Sequence, residues 1–366
     1  MAQGNGVFDD SDLEALKLDI GAASMDQGVM RSYQHAGKTF QALTANQTAQ
    51  LQIIEKGSEN TVDVLWTETT EQTILEDGDV TNTCTPSTVS PGSYKETYAL
   101  TKKFQHPAFA IPHYMFRNDF FGGDGGQRVA KMQFLQADFA LAKALNAYAY
   151  SFLNTNFYGV TSLDWNPDAA YTPGASGIGV TIQPGGFYPS DIFGDMQIWA
   201  ENLNMPNPFL VGGASLQKHK VEANNSAGFD PTMKEYADMN PNWYPDATTF
   251  RTTPYETFVV SPTAYAFAIR NYFNDANASE IPAMRNGGMY EVSSDVGIRK
   301  HYTWESKIIP GLFYDVTSFT KCIGEKNYTE VFQMSVMGQL FANPKSINEE
   351  TENTGILKII SDAASS

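Results

Sequence analysis

The sequence predicts an α+β protein. Three observations support this class: one very long helical stretch, helix–strand units without a regular β-α-β alternation, and a final third rich in β-forming residues. The helical stretch reads MQFLQADFALAKALNAYAYSFL over residues 132–153, and neither glycine nor proline interrupts it. With 366 residues, 42% of them hydrophobic, the chain is long enough and apolar enough to bury a large core.

Residues 1–60 are polar and predict an N-terminal arm. A short helix fits Asp12 to Ile20, because Leu13, Leu16 and Ile20 fall on one face of it. The rest of this segment shows no clear periodicity. We therefore expect an arm and not a separate domain.

Residues 61–104 predict an extended hairpin. They alternate in polarity, are rich in Thr, Val and Ile, and reach turn residues at 77–79. Neither arm of the hairpin has enough apolar residues on one face for a self-sufficient sheet, so we expect it to lie on another surface, often that of a second subunit. The residues predicted to contact neighbouring subunits, in this hairpin and in the N-terminal helix, are Trp66, Glu68, Glu71, Glu76, Asp77, Asp79, Leu13 and Leu16.

Residues 127–154 predict a single helix of about 40 Å, at about 1.5 Å per residue. Asp138 and Lys143 lie in its middle, and because charged groups are costly at a bilayer centre, the helix is not expected to span a membrane. Alanines at 137, 140, 144 and 147 allow close approach of other elements. The predicted core positions of this helix are Leu135, Phe139, Ala142, Leu145 and Phe152.

Two helix–strand units follow the long helix. Ser190 and Pro206 bound a predicted helix, and the FLV stretch after it predicts a short buried strand. In the second unit, Ser261 as a cap and Pro262 as the first helical residue predict a helix through TAYAFAIRNYF. The final third is β-prone and ends in a polar tail from Lys345.

The charge of the chain argues against direct recognition of nucleic acid. Acidic residues outnumber basic ones by 41 to 24, the net charge is -17, and no basic run exceeds Lys102-Lys103. Such acidity suits a protein that stays near DNA without adhering to it, or one that must remain soluble at high concentration. No secretory signal is visible at the N-terminus, and Cys84 and Cys322 are expected to be reduced in a cytosol.

The sequence predicts no catalytic residue, no cofactor and no metal site. The GGDGG stretch at 122–126 is followed by Gln-Arg, whereas a phosphate-binding P-loop requires Gly-Lys-Ser/Thr. None of the five histidines stands in a His-x-x-x-His or Glu-x-x-His pattern, which argues against a zinc site. We therefore expect a structural protein and not an enzyme.

The order of these elements resembles that of the major capsid proteins of tailed bacteriophages, the Hong Kong 97-type fold. The segments that carry the resemblance are the hairpin, the long helix, and the units DIFGDMQIWAENLNMPNPFLVGG and FVVSPTAYAFAIRNYF. The resemblance implies an N-terminal arm (1–60), an extended hairpin loop (61–104), a peripheral domain (105–160 and 300–345) with the spine helix 127–154, a mixed α/β axial domain (161–299), and a C-terminal tail (346–366).

The resemblance implies a major capsid protein that self-assembles into the icosahedral shell around phage DNA. Its partners are then copies of itself, in hexamers and pentamers, with scaffolding, portal or decoration proteins as further partners. It implies no sequence-specific binding of nucleic acid and no membrane. The expected location is the virion, after synthesis and assembly in the host cytoplasm.

Two other kinds of function remain open. Another virion protein, a double jelly-roll capsid or a tail tube, fits the β-rich ends, although the long helix argues against both. A cytosolic hydrolase or sugar-binding protein would use scattered acids and aromatic side chains. The tryptophans available for it are Trp66, Trp165, Trp199, Trp243 and Trp304.

Overall fold

The computed structural model shows an α+β protein, so the predicted class is confirmed. It describes residues 36–56, 59–67, 93–112, 125–160, 171–182, 188–189, 192–213, 215, 243–270, 290–292, 296–322, 328–344 and 354–362. Helices and mostly antiparallel strands alternate irregularly along this part of the chain.

Three α-helices lie in the described ranges. They are α1 (Lys38–Asn46), α2 (Gly125–Asn156) and α3 (Ile192–Asn202). A short 3-10 helix follows at Thr249–Arg251. Helix α2 has 32 residues and extends the predicted helix by two residues at each end. Its length is possible because no residue between 127 and 154 breaks the hydrogen-bond ladder.

The strands are mostly short, with three longer ones near the C-terminal end. They are β1 (Gln50–Lys56), β2 (Glu59–Thr67), β3 (Ser93–Ala99), β4 (Lys103–Gln105), β5 (Phe109–Pro112), β6 (Tyr171–Thr172), β7 (Ile178–Thr181), β8 (Phe209–Gly212), β9 (Trp243–Pro245), β10 (Thr257–Val260), β11 (Tyr265–Arg270), β12 (Tyr290–Val292), β13 (Val296–Glu305), β14 (Phe313–Cys322), β15 (Tyr328–Ala342) and β16 (Ile356–Asp362).

These strands form three sheets. The first has the order β1-β2-β3 and the second β6-β7-β16-β10-β8-β9. The third has the order β11-β15-β14-β13-β12, with β4 and β5 also pairing with β15. In the second sheet, β7 and β16 run parallel, as do β8 and β9, whereas β10 is antiparallel to both β16 and β8.

The chain divides into two compact units. Unit 1 comprises Met1–Gly37, Thr101–Ala147 and Ile269–Gln339, and unit 2 comprises Lys38–Leu100, Tyr148–Ala268 and Leu340–Ser366. Helix α2 contributes residues to both units, since the division falls after Ala147. The predicted domain boundaries stay a prediction.

The core of unit 1 is built around aromatic rings on α2 and on the strands of the third sheet. Phe134 of α2 stacks on Trp304 with 4.9 Å between ring centroids, and meets Phe109 and Phe332 edge-on at 5.2 and 5.0 Å. Pairs at these separations and angles contribute about 0.5–1.5 kcal/mol each beyond their burial. The aromatic side chains therefore fix how α2 lies on the sheet in this unit.

The core of unit 2 lies between helix α3 and the second sheet. Met196 and Trp199 of α3 are each 1% exposed. Leu210, Val259 and Leu357 come from three strands of the sheet and join the same cluster. The FLV stretch, predicted as a buried strand, forms β8 and is buried throughout.

Part of the predicted arm belongs to the body of unit 2. Residues 1–35 lie outside the described residues, but Phe40 and Leu43 of α1 are fully buried. The Asp246 carboxylate accepts hydrogen bonds from the Thr39 backbone N–H (3.3 Å) and hydroxyl (2.8 Å), where a negative charge suits the helix N-terminus. At the other end, the Tyr265 hydroxyl donates to the Leu43 carbonyl oxygen at 2.6 Å.

Two local predictions are wrong. The segment after Pro262 forms strand β11 instead of a helix, with Tyr265, Ala266, Phe267 and Ala268 all buried. A continuous apolar run does not distinguish a buried strand from a buried helix, and here pairing with β15 decided. The predicted polar tail contains strand β16, which lies inside the second sheet between β7 and β10.

Candidate functional site

Helix α2 is anchored in unit 1 by a buried carboxylate at its middle. Asp138 is fully buried, and its two oxygens accept hydrogen bonds from the Ser306 hydroxyl (2.6 Å) and from the Lys307 backbone N–H (2.7 Å). The Ser306 oxygen in turn accepts from the backbone N–H groups of Ile308 and Ile309. The carboxylate thus ties the helix to the connection between β13 and β14.

The electrostatics of Asp138 follow from its burial. Removal from water raises the pKa of the Asp138 carboxyl above its ordinary value, and the hydrogen bonds from Ser306 and Lys307 partly oppose that rise. Burial also raises the pKa of the nearby Tyr314 phenol, so this hydroxyl stays protonated. A neutral phenol and two hydrogen-bond donors face the carboxyl, which suits a structural contact.

The predicted core positions of the long helix are mostly buried. Leu135, Ala142, Leu145 and Phe152 are at most 8% exposed. Phe139 is only half-buried, because it lies toward the edge of the apolar face. The exposed side of the helix includes Gln136, Ala140, Lys143, Ala144 and Ala147.

In unit 2, the end of α2 carries a row of polar contacts. The Tyr148 hydroxyl accepts a hydrogen bond from the Leu340 backbone N–H at 3.0 Å. Two residues on, the Tyr150 hydroxyl donates to Glu256 at 2.5 Å. Near the end of the helix, the Asn154 side-chain oxygen accepts from Lys358 at 2.6 Å. Single hydroxyl and amide groups therefore fix this part of the helix to three other segments of the unit.

The base of the predicted hairpin is a regular antiparallel pair. Strand β2 pairs with β3 from Thr61 opposite Ala99 to Thr67 opposite Ser93, and β1 pairs with β2 on its other side. Residues 68–92, which connect β2 and β3, lie outside the described residues. The strand pairing therefore confirms two extended arms at 59–67 and 93–99.

The hairpin base is attached to its own chain. Val62, Val64 and Trp66 of β2 are at most 1% exposed. The Trp66 indole N–H donates to the Tyr98 hydroxyl (3.3 Å), and the Tyr98 ring stacks on Phe341 at 4.6 Å between centroids. The hairpin was expected to lie on another surface, often that of a second subunit, and at its base that surface belongs to the same chain.

Trp66 was predicted as a contact to another subunit, and this prediction is wrong. Its side chain is 1% exposed within its own chain, so almost none of its surface is available to a neighbour. Leu65, one residue earlier on β2, is 38% exposed and faces outward. The other predicted contacts lie outside the described residues, namely Glu68, Glu71, Glu76, Asp77, Asp79, Leu13 and Leu16.

A buried acidic residue, Asp63, also lies at the hairpin base. Asp63 is 3% exposed, accepts a hydrogen bond from the Thr97 hydroxyl at 2.5 Å, and forms an ion pair with Lys95 across the two strands. Lys95 is 58% exposed, so solvent screens the pair and its contribution to stability is small. The contact nevertheless fixes the register of β2 and β3, because a shift by one residue would separate the partners.

The described side chains form no grouping typical of a metal site. Among them, no three His, Cys, Asp or Glu residues lie close enough together to hold an ion. Helix α2 and the other helices in the described ranges do not combine the length and apolarity needed to cross a membrane. The polar groups of this part of the chain instead join helices to strands.

Comparison with known proteins places the chain near phage structures. It is similar to a chain of Mycobacterium phage Adephagia (8% identity, 88% of this chain and 91% of that chain, TM-score 0.43). It is also similar to one of Mycobacterium phage Bobi (13% identity, 90% and 91%, TM-score 0.41) and to the capsid of Myoviridae phage XM1 (12% identity, 89% and 92%, TM-score 0.38).

No family model matches the sequence, and no curated protein matches it.

Several polar residues that join these elements were not predicted from the sequence. Asp246, Glu256 and Lys358 look like ordinary surface charges in their local sequence. A weak signal exists for Lys358, since the stretch ILKII at 356–360 places one lysine among four large apolar residues. Such a pattern indicates a buried strand in which the lysine amine has a specific partner.

Proposed function

We propose that the chain is the major capsid protein of a tailed bacteriophage, with the Hong Kong 97-type fold, and that it assembles into the icosahedral shell. One observation carries this proposal: a 32-residue helix contributes to both compact units, beside a hairpin whose base is fixed to the chain's own core. A shell subunit needs such a rigid body together with an extended segment that buries its surface against a neighbour.

The polar anchors support a mechanical role for helix α2. Asp138 fastens it in unit 1, and Tyr148, Tyr150 and Asn154 fasten it in unit 2. Because protein interiors are closely packed, a helix held in this way transmits displacement instead of absorbing it. In the proposed shell, this stiffness sets the curvature between neighbouring subunits.

The hairpin segment 68–92 is the proposed contact to the next subunit. It contains Glu68, Glu71, Glu76, Asp77 and Asp79, so a surface that receives it has to offer positive charge or hydrogen-bond donors. Leu65 replaces Trp66 as the proposed apolar contact, because it is exposed at the base of the same hairpin. In this proposal the partners are copies of the chain in hexamers and pentamers, with scaffolding, portal or decoration proteins as additional partners.

The proposed location is the virion, after synthesis in the host cytoplasm, and the proposed role involves no catalysis. The net charge of -17 supports this location, because an acidic subunit does not retain the DNA that must later leave. Of the proposed arm, residues 1–60, the segment 1–35 lies outside the described residues.

Electron microscopy and sedimentation of the purified protein test this proposal. We expect closed shells for the intact chain. A variant in which a short Gly-Asn turn replaces residues 68–92 is expected to remain folded, with unchanged helical circular dichroism, and to form no shells. Shells from this variant would overturn the role of the hairpin, and an intact chain that stays monomeric under several assembly conditions would overturn the proposed function.

A point variant gives a sharper test of the hairpin base. Leu65→Asp places a charge on an exposed position and is expected to reduce shell yield at least tenfold without changing the melting temperature of the unassembled protein. The matched control is Ala99→Ser, on the exposed side of the partner strand β3. Equal shell yields for the two variants would exclude Leu65 as a subunit contact.

A further inference from the structure

Strand β16 occupies a slot in the middle of the second sheet. It pairs antiparallel with β10, with Val260 opposite Ile356, and parallel with β7, with Ile178 opposite Ile359. Strands buried on both faces are normally apolar throughout, and Ile356, Leu357 and Ile359 are fully buried. Residues 345–353, which precede this strand, lie outside the described residues.

The same segment closes the end of helix α2 in unit 2. The Thr354 hydroxyl donates to the Asn156 carbonyl oxygen at 2.9 Å, which satisfies one of the carbonyl groups left open at a helix C-terminus. The Tyr158 backbone N–H donates to the Ile356 carbonyl oxygen at 2.7 Å. Residues 154–158 of the chain are therefore held by residues 354–358 and not only by the helix itself.

Lys358 is the specific contact of the segment. Its side chain is 11% exposed, and its amine lies 2.6 Å from the Asn154 oxygen and 3.1 Å from Glu256. The rings of Phe157 and Phe258 lie 5.4 and 5.8 Å from the same amine. A carboxylate, an amide oxygen and two aromatic faces form a complete environment for one ammonium group.

The slot is also shaped on the side that faces β7. Gly177 has a φ of +121°, and a Cβ atom there would lie 2.6 Å from the Lys358 carbonyl oxygen. Any side chain at this position would push the backbone of β16 out of the sheet. Glycine therefore permits the close approach of the turn before β7 to the segment that fills the slot.

We propose that the slot between β7 and β10 is a strand-binding site whose ligand is the chain's own segment 354–362. The slot selects an extended peptide with two apolar residues, a lysine and two further apolar residues. Bound, this segment acts as a clasp that completes the sheet of unit 2 and fixes the end of helix α2. Such pairing is the β-strand addition by which many proteins bind peptides, here with an intramolecular ligand.

Cleavage of the chain before the clasp tests whether segment 354–362 binds the sheet as a ligand that can be exchanged. A site for a specific protease is placed within residues 345–353 of the full-length protein, which is purified unassembled and then cleaved. We expect the fragment to remain bound after cleavage, and to be replaced completely by an excess of isotope-labelled peptide of residues 354–366, as seen by native mass spectrometry. No replacement over days, or release of the fragment with unchanged amide exchange at 154–158, would overturn the proposal.

Three variants locate the specificity. A labelled peptide with Lys358→Met is expected to compete at least tenfold less well, because Glu256 and Asn154 lose their charged partner. A peptide with Ser365→Ala, outside the strand, should compete like the native peptide. Gly177→Ala in the cut protein is expected to release the native fragment at least tenfold faster. Equal competition by the Lys358→Met peptide would show that the lysine does not contribute to binding of the segment.

The clasp does not depend on the proposed function, since all of these measurements use unassembled protein. Normal peptide binding in a chain that never forms shells would count against the shell and leave the clasp intact. Normal shells from a chain whose fragment does not exchange would count against the clasp and leave the proposed shell intact.

Discussion

Replacing Asp138 by alanine tests whether a buried carboxylate anchors the long helix. The change removes the acceptor of two hydrogen bonds, at 2.6 Å from the Ser306 hydroxyl and 2.7 Å from the Lys307 backbone N–H. Each buried donor left without a partner costs about 1–3 kcal/mol. The Ser306 hydroxyl can turn toward Tyr314, whose oxygen lies 3.5 Å away, so its loss is partial. We expect Asp138→Ala to lower the free energy of unfolding by about 2–4 kcal/mol in total.

Urea denaturation of the unassembled protein at neutral pH, followed by circular dichroism, measures this cost. The control is Gln136→Ala, an exposed position two residues away on the same helix, where we expect a change within about 0.5 kcal/mol. If Asp138→Ala costs no more than the control, the carboxylate is not an anchor. The slope of the denaturation curve should stay unchanged, since neither variant alters the surface exposed on unfolding.

The pH dependence of Asp138→Asn gives an independent check of the same site. Because burial raises the pKa of the Asp138 carboxyl, the folded protein binds this proton more readily than the unfolded chain does. The stabilisation of the folded state by this proton is fully present below the ordinary carboxyl pKa of 3.8. It is lost as the pH rises through the raised pKa of Asp138 in the folded protein. The wild-type protein should therefore gain stability relative to Asp138→Asn on acidification, and a constant difference would contradict the raised pKa.

Three further changes test the other elements. Ala142→Pro, at a buried position in the middle of helix α2, is expected to cost about 3 kcal/mol or more and to abolish shell formation, as measured by denaturation and electron microscopy. Tyr98→Ala should cost about 1–3 kcal/mol and increase amide exchange in β2 and β3, because the stack of this half-buried ring on Phe341 at 4.6 Å is lost. Asp246→Ala removes the acceptor for Thr39 and should release α1, seen as faster proteolysis near residue 38, at a cost of about 1–3 kcal/mol.

The long helix could be predicted because its signal is local. Twenty-eight residues without glycine or proline, with apolar side chains at helical spacing, leave few alternatives to one continuous helix. Four of the five predicted core positions are buried, and only Phe139 lies at the edge of the apolar face. The hairpin base was predicted for a similar reason, since alternating polarity and turn residues are also local features.

The errors arose where distant segments decide the structure. Ser261 and Pro262 have the local pattern of a helix start, yet the run from Tyr265 forms a strand because it pairs with β15, about seventy residues later in the chain. Trp66 has the local pattern of an exposed aromatic in a polar hairpin. It is buried because the hairpin base lies on the chain's own unit 2.

Local sequence was enough to predict the α+β class, the position of the long helix and the two hairpin arms, and it contains no basic run longer than Lys102-Lys103. These properties depend on periodicity, turn residues and composition, which act over a few neighbouring residues. In contrast, Asp138, Asp246 and Lys358 are buried anchors, and 356–362 is a central strand, because of long-range contacts that the local sequence does not reveal. Each of these residues has a partner between 100 and 210 positions away, and a buried charge is stable only where such partners meet it.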